Sequence, residues 1–136
     1  MGRILGIDHG DTRCGLALSD PLHIIASPFT TLRVQSEKQI IEDIKKVIIE
    51  NDVESAVVGI PIGMKGQETK QTKHVRTFAQ SLQNEGITVY LEDERLTSVS
   101  AKRSLIEQNI RTGQNKHRVD QTAAAILLQQ FLDKAI

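Results

Sequence analysis

Apolar and polar positions along the chain change rhythm twice. Near the start, "RILGID", "CGLAL" and a third run through "IIASPFTTL" are short and β-rich, and they predict strands at residues 3–8, 14–18 and roughly 24–32. The intervening "HGDTR" and "SDPLH" are rich in turn formers. Connections this short favour an antiparallel meander. The rhythm then becomes helical: Ile40, Ile41, Ile44, Val47 and Ile48 recur on one face, with Ser36 placed as an N-cap.

"SAVVGIP", residues 55–61, has no polar alternation and predicts a strand covered on both faces, closed by Pro61. A second helix carries the stripe Val75, Phe78, Ala79 and Leu82 and stops at Gly86. A fifth strand is expected at "ITVYL", residues 87–91, followed by helical segments at about 97–108 and 118–134 around the polar loop "NIRTGQNKH". Three strands followed by alternating helices and strands predict an α/β fold. Its mixed five-stranded sheet combines an antiparallel three-strand meander with two parallel strands, and helices flank both faces. No repeat or linker interrupts this order, so residues 1–136 are expected to form a single domain.

Composition narrows the picture only in places. With no Trp, one Tyr and three Phe, the core must be aliphatic, and base-stacking platforms for single strands are scarce. Seventeen basic residues balance seventeen acidic ones, so any positive field is local. The lone Cys14 makes no intramolecular disulfide, excludes the usual thiolate zinc site and is expected to pack as a small hydrophobe. The first residues lack the apolar run of a signal peptide, and no stretch approaches the ~20 apolar residues of a membrane span. A cytoplasmic protein without a membrane partner is therefore expected.

Three groups of acids fall where this pattern puts core. Asp8 ends the first strand, Glu92, Asp93 and Glu94 follow the fifth, and Asp120 shares a helical face with Ala123, Ala124, Leu127 and Phe131. Taken singly, each has a plain alternative: a turn former, a solvated cluster, or an acid favoured by a helix N-terminus. Taken together, they can meet at one sheet edge, where gathered like charges call for protons or a cation. Oxygen ligands select Mg²⁺ or Mn²⁺, and two such ions about 3.5 to 4 Å apart suit a phosphodiester.

Several cations lie near those acids. Arg13 sits in the turn after Asp8, suited to a phosphate or to a surface ion pair. Lys65, Lys70, Lys73 and Arg76 surround the start of the second helix, where Lys70 and Lys73 read more simply as solvated. Arg111, Lys116, His117 and Arg118 precede Asp120 and would offset the acids and attract a polyanion. Gly6, Gly10 and Gly15 flank Asp8, either for close approach of a phosphate or for a hairpin needing positive φ.

The phrases "GIDHGDTRCGLALSD", "VVGIPIGMKGQETKQTKHVRTFAQSL", "DERLTSVSA" and "KHRVDQTAAAILLQQFL" span nearly the whole chain in order. Together they resemble the YqgF family, whose RuvX-like members are described as Holliday junction resolvases and pre-16S rRNA nucleases. The resemblance implies a ribonuclease H-like fold and metal-dependent cleavage of a nucleic-acid backbone. It maps the acidic residues onto Asp8, Glu94 and Asp120, selecting Glu94 over Glu92 and Asp93, and brings Arg95 and Thr97 along in the same motif. Arg13, Lys65, Arg76, Arg95, Lys116 and Arg118 are the expected contacts to pre-rRNA or branched DNA.

Processing of the pre-16S rRNA 5′ end is the leading expectation. Junction resolution, which needs two active sites and hence a homodimer, and a non-catalytic binding module in which the acids are structural are the alternatives. A monomer suffices for RNA processing. The "DHGDTRCG" hairpin also resembles the phosphate-binding turn of actin-like ATPases and sugar kinases, which place two such domains around a nucleotide.

Overall fold

The computed structural model describes residues 2–63, 65–94 and 116–134. Strands β1 (Arg3–His9), β2 (Arg13–Ser19) and β3 (Ala26–Arg33) precede helix α1 (Glu37–Glu50). They are followed by β4 (Val53–Ile60), helix α2 (Lys70–Asn84), β5 (Val89–Asp93) and helix α3 (Lys116–Lys134). The sheet has five strands in the order β3-β2-β1-β4-β5. β1 pairs antiparallel with β2 and β2 with β3, whereas β1–β4 and β4–β5 are parallel. The mixed sheet expected from the sequence is therefore present. The segment expected to be helical at 97–108 lies outside the described residues.

Strand alternation sorts the sheet into two faces. Leu5, Ile7, Leu16, Val58 and Ile60 pack against Ile40 and Ile44 of α1 and Val75, Phe78 and Leu82 of α2. On the other face Ile4, Ala17 and Val57 pack against Ala124, Ala125, Leu128 and Leu132 of α3. Each large aliphatic side chain buried in this way contributes roughly 1.5–3 kcal/mol. Both leading helices start with reciprocal capping: Ser36 with Gln39 on α1 and Thr69 with Thr72 on α2.

Two strand boundaries differ from expectation for identifiable reasons. β3 begins at Ala26 because Asp20 draws the preceding residues into a turn, accepting from the amides of Ile24 and Ile25 at 2.7 Å and of Leu22 at 3.1 Å. Those amides, Ile25 first, hold the Asp20 carboxyl below its usual range. β5 lies two residues later than expected, at 89–93, because its parallel register runs from Ala56↔Val89 to Ile60↔Asp93. Ile87 instead closes the end of α2, its amide 3.3 Å from the Leu82 carbonyl. β3 is an edge strand, and its Pro28 coincides with a register shift at Leu16/Ala17.

Helix α3 approaches the sheet closely where glycines floor its path. A Cβ on Gly6 would lie 2.8 Å from Leu128 Cβ, and one on Gly15 would lie 2.1 Å from the Asp120 carbonyl oxygen. Among the described residues the glycines with positive φ are Gly66 and Gly86, so neither Gly10 nor Gly15 is there for a left-handed turn. Gly15 instead admits a helix backbone. Gly15→Ala is expected to push α3 outward and cost about 1–3 kcal/mol, as overpacking does. Urea unfolding of the variant beside the parent checks this.

Candidate active site

Alternation along β1 turns Ile4, Gly6 and Asp8 towards α3 and Leu5, Ile7 and His9 towards α1 and α2. Asp8 is 8 % exposed and pairs in register with Gly15 of β2. Asp120, 2 % exposed, rests its backbone directly on that same glycine. Two acids 112 positions apart in the chain are thus seated on paired residues of one hairpin. Cys14 registers their nearness: its thiol, packed in the core, is pushed up first by burial and then by the charges of Asp8 and Asp120.

Glu94 follows β5 and lies on the same face. A Cβ on Gly59 would sit 2.7 Å from Glu94 Oε1 and 2.7 Å from Leu127 Cδ2, so this glycine leaves room for the carboxylate under α3. Since β1 and β4 pair through Ile7↔Val58, Gly59 is the strand neighbour beyond that pair, as Asp8 is on β1. The three acids therefore share one end of one sheet face. They are not drawn into a single ligand set: among the described residues no three His, Cys, Asp or Glu side chains are grouped to hold a metal ion.

Arg13 Nε donates to Asp120 Oδ2 at 2.6 Å, offsetting the charge of that buried carboxylate. By donor chemistry the set fits a hard divalent ion, because Asp8, Asp120 and Glu94 offer only oxygens and two of them are buried.

The expected basic residues divide by face. Arg13 reaches the site, and the exposed Arg118 lies two residues before Asp120 on α3. Arg76 belongs to α2, which covers the opposite face, and pairs with Glu68 at 3.0 Å. Lys65 is exposed in the loop before α2. Arg95, Thr97 and Arg111 lie outside the described residues, as do the side chains of Lys116 and His117.

Glu92, one of the acids expected to follow the fifth strand, lies within β5, is 3 % exposed and stands 2.6 Å from Lys134 Nζ. One residue beside the site carries no signal in the sequence. His9, next to Asp8 but on the other face, stacks on Phe78 with ring centroids 4.1 Å apart. Burial first, then neighbouring His74, pushes its pKa down to about 4.

A five-stranded mixed sheet in the order β3-β2-β1-β4-β5 with helices on both faces is the ribonuclease H-like fold. The solved Thermus thermophilus RuvC in complex with a Holliday junction superposes with TM-score 0.61 at 16 % identity, covering 99 % of this chain and 96 % of that one. The fowlpox virus Holliday junction resolvase gives 0.57 at 12 % identity, covering 98 % and 99 %. At these identities the likeness concerns the fold.

The chain belongs to the RuvX family, described as Holliday junction resolvase, whose model matches residues 2–134. A "putative pre-16S rRNA nuclease" of Roseiflexus sp. is 39 % identical over 97 % of this chain and 94 % of its own length. One of the same name from Dictyoglomus thermophilum is 36 % identical over 98 % and 96 %.

Arg13→Ala leaves Asp120 buried without its guanidinium and is expected to cost about 1–3 kcal/mol in chemical denaturation. His9 makes stability depend on pH. Its folded pKa lies below the unfolded value of 6.5, so the unfolded chain takes up the proton first. The contribution is fully present above pH 6.5 and is lost towards pH 4, amounting to as much as about 3 kcal/mol. In His9→Phe the fall in stability over that range is expected to be shallower, as measured by urea unfolding at a series of pH values.

Proposed function

We propose that this protein is a divalent-metal-dependent nuclease that hydrolyses phosphodiester bonds of structured RNA, its substrate being the 5′ end of pre-16S rRNA in the cytoplasm. The observation carrying this reading is the seating of Asp8 and Asp120 on paired residues of the β1–β2 hairpin, with Glu94 on the same face. Support for the RNA substrate comes from the names of relatives that match over almost their full length.

Asp8, Glu94 and Asp120 would hold Mg²⁺ or Mn²⁺, as one ion or a pair. The ion supplies a bound water of lowered pKa and positive charge opposite the phosphate oxygens. Water is the nucleophile, so no covalent bond to the protein forms. Rigid strand and helix backbone position Asp8 and Asp120. Arg13 orients Asp120 before the ion binds, and its guanidinium, once displaced towards the rim, can meet a phosphate oxygen. Arg118, with Lys116 and Arg95 as expected contacts, would extend the positive rim along the RNA backbone. Arg76, on α2, would serve only a substrate that wraps round the sheet edge, whereas Lys65 lies in the loop that follows β4.

A second reading is favoured by the family's description: hydrolysis of paired strands at a Holliday junction. That reaction requires two copies of the site and therefore a dimer. The two substrates are separated by assaying an rRNA precursor and a four-way DNA junction in parallel with Mg²⁺.

Asp8→Asn is expected to lower cleavage of the preferred substrate at least about a hundredfold, more than loss of a typical outer-shell partner. Binding in a gel-shift assay should persist. Undiminished cleavage by the purified variant contradicts the assignment. Binding without cleavage by either form makes the protein a non-catalytic nucleic-acid-binding module.

A further inference from the structure

β1 ends with functional groups on both faces, because Asp8 and His9 are consecutive and point opposite ways. Behind His9 lies a pocket of about 200 Å³ between the β1–β2 hairpin and the starts of α1 and α2. It is smaller than the ~300–1,000 Å³ of a drug-sized site and suits one flat ring system. His9 and Phe78, stacked on each other with centroids 4.1 Å apart, wall it on one side, and His74 lies beside them with its ring 5.3 Å from that of His9.

The polar lining is selective. Asp11 and Glu37 bring carboxylates, and no lysine or arginine is among the lining residues, so a phosphate is repelled. Glu37 Oε1 accepts from Ser81 Oγ at 2.8 Å, and the carboxylate keeps further lone pairs for a ligand. His9 is 9 % exposed, and its Nδ1 has no hydrogen-bond partner. A buried polar atom left unpaired is costly, which favours a ligand able to satisfy it. An imidazole in its neutral form has one donor and one acceptor.

We propose that this pocket takes a guanine base of the nucleic-acid substrate, lodged against the wall that the His9–Phe78 pair makes, with the Asp11 and Glu37 carboxylates accepting from its N1–H and 2-amino groups. Guanine combines two donors on one edge with the O6 and N7 acceptors that an imidazole N–H can address. Ammonium and guanidinium groups satisfy the acids but bring no acceptor. Adenine, cytosine and uracil lack the paired donors on one edge. The inference rests on the nuclease reading for its substrate: a strand whose phosphate meets Asp8 would reach round the hairpin edge with an adjoining base.

The test uses the intact protein without added metal, titrated with guanosine, inosine, cytidine and arginine amide, and followed by NMR of the histidine rings and backbone amides. Guanosine is expected to shift His9, His74 and Phe78. Inosine, which lacks the 2-amino group, is expected to bind about 10–100-fold more weakly, as loss of a charge-assisted hydrogen bond requires. Glu37→Gln, Asp11→Asn and the exposed His74→Ala should each weaken guanosine while leaving the remaining spectrum folded.

Equal shifts by guanosine and inosine overturn the proposal, as does no shift by either. Binding of arginine amide in preference to guanosine also overturns it and assigns the pocket to a basic protein side chain. Asp8→Asn should bind guanosine as the parent does. Guanosine binding by a protein that never cleaves would refute the nuclease reading alone, and cleavage without guanosine binding would refute the pocket alone.

Discussion

The structure depends on a contact that exists because a side chain is missing. The Asp120 carbonyl occupies the space where a Cβ on Gly15 would stand, and Gly15 pairs with Asp8 across the hairpin. One close approach therefore fixes the height of α3 above the sheet and the separation of two acids from opposite ends of the chain. Gly6 and Gly59 extend the same floor, the first under Leu128 and the second under Glu94 and Leu127. Placing carboxylates so near the core is unfavourable unless their charge is met. Arg13 meets it on Asp120, tying the turn of the hairpin to the start of the helix.

The opposite face supplies the stiffness. Ile40, Ile44, Val58, Val75 and Leu82 form an aliphatic layer that holds α1 and α2 against strands whose far side carries the acids. Because the strand period is two, a single residue step along β1 moves from the carboxylate of Asp8 to the imidazole of His9. The two sides of the sheet consequently have different chemistry at the same end: acids with a basic rim under α3, and rings with acids between α1 and α2.

Much of this was legible in the sequence, and the losses have physical causes. Periodicity placed the strands and helices because the aliphatic positions are buried in the pattern they display, as Ile40, Ile44 and Val47 illustrate. The end of β5 was missed because parallel register with β4, a long-range property, carried the strand through Glu92 and Asp93. Asp120 was recognisable as an acid on an apolar stripe. The reason for Gly15 was not, since a glycine required by a distant backbone looks the same as one required by a turn. Proximity to a helix start suits Arg76 to a phosphate, but its helix α2 packs across the sheet from the acids. A lone histidine beside a conspicuous aspartate, as His9 is, has no signature in the sequence until Phe78 and His74 of the adjacent helix layer pack beside it.

The central claim is that Asp8, Glu94 and Asp120 act on one ion-bearing site at the end of β1. Anomalous diffraction from crystals grown with Mn²⁺ locates the ion directly. The account predicts an anomalous peak under the start of α3, with carboxylate oxygens of Asp8 and Asp120 bound to it, Glu94 drawn in and Arg13 displaced towards the rim. A fully occupied Mn²⁺ elsewhere, with the Arg13–Asp120 pair intact and the three acids untouched, would contradict it.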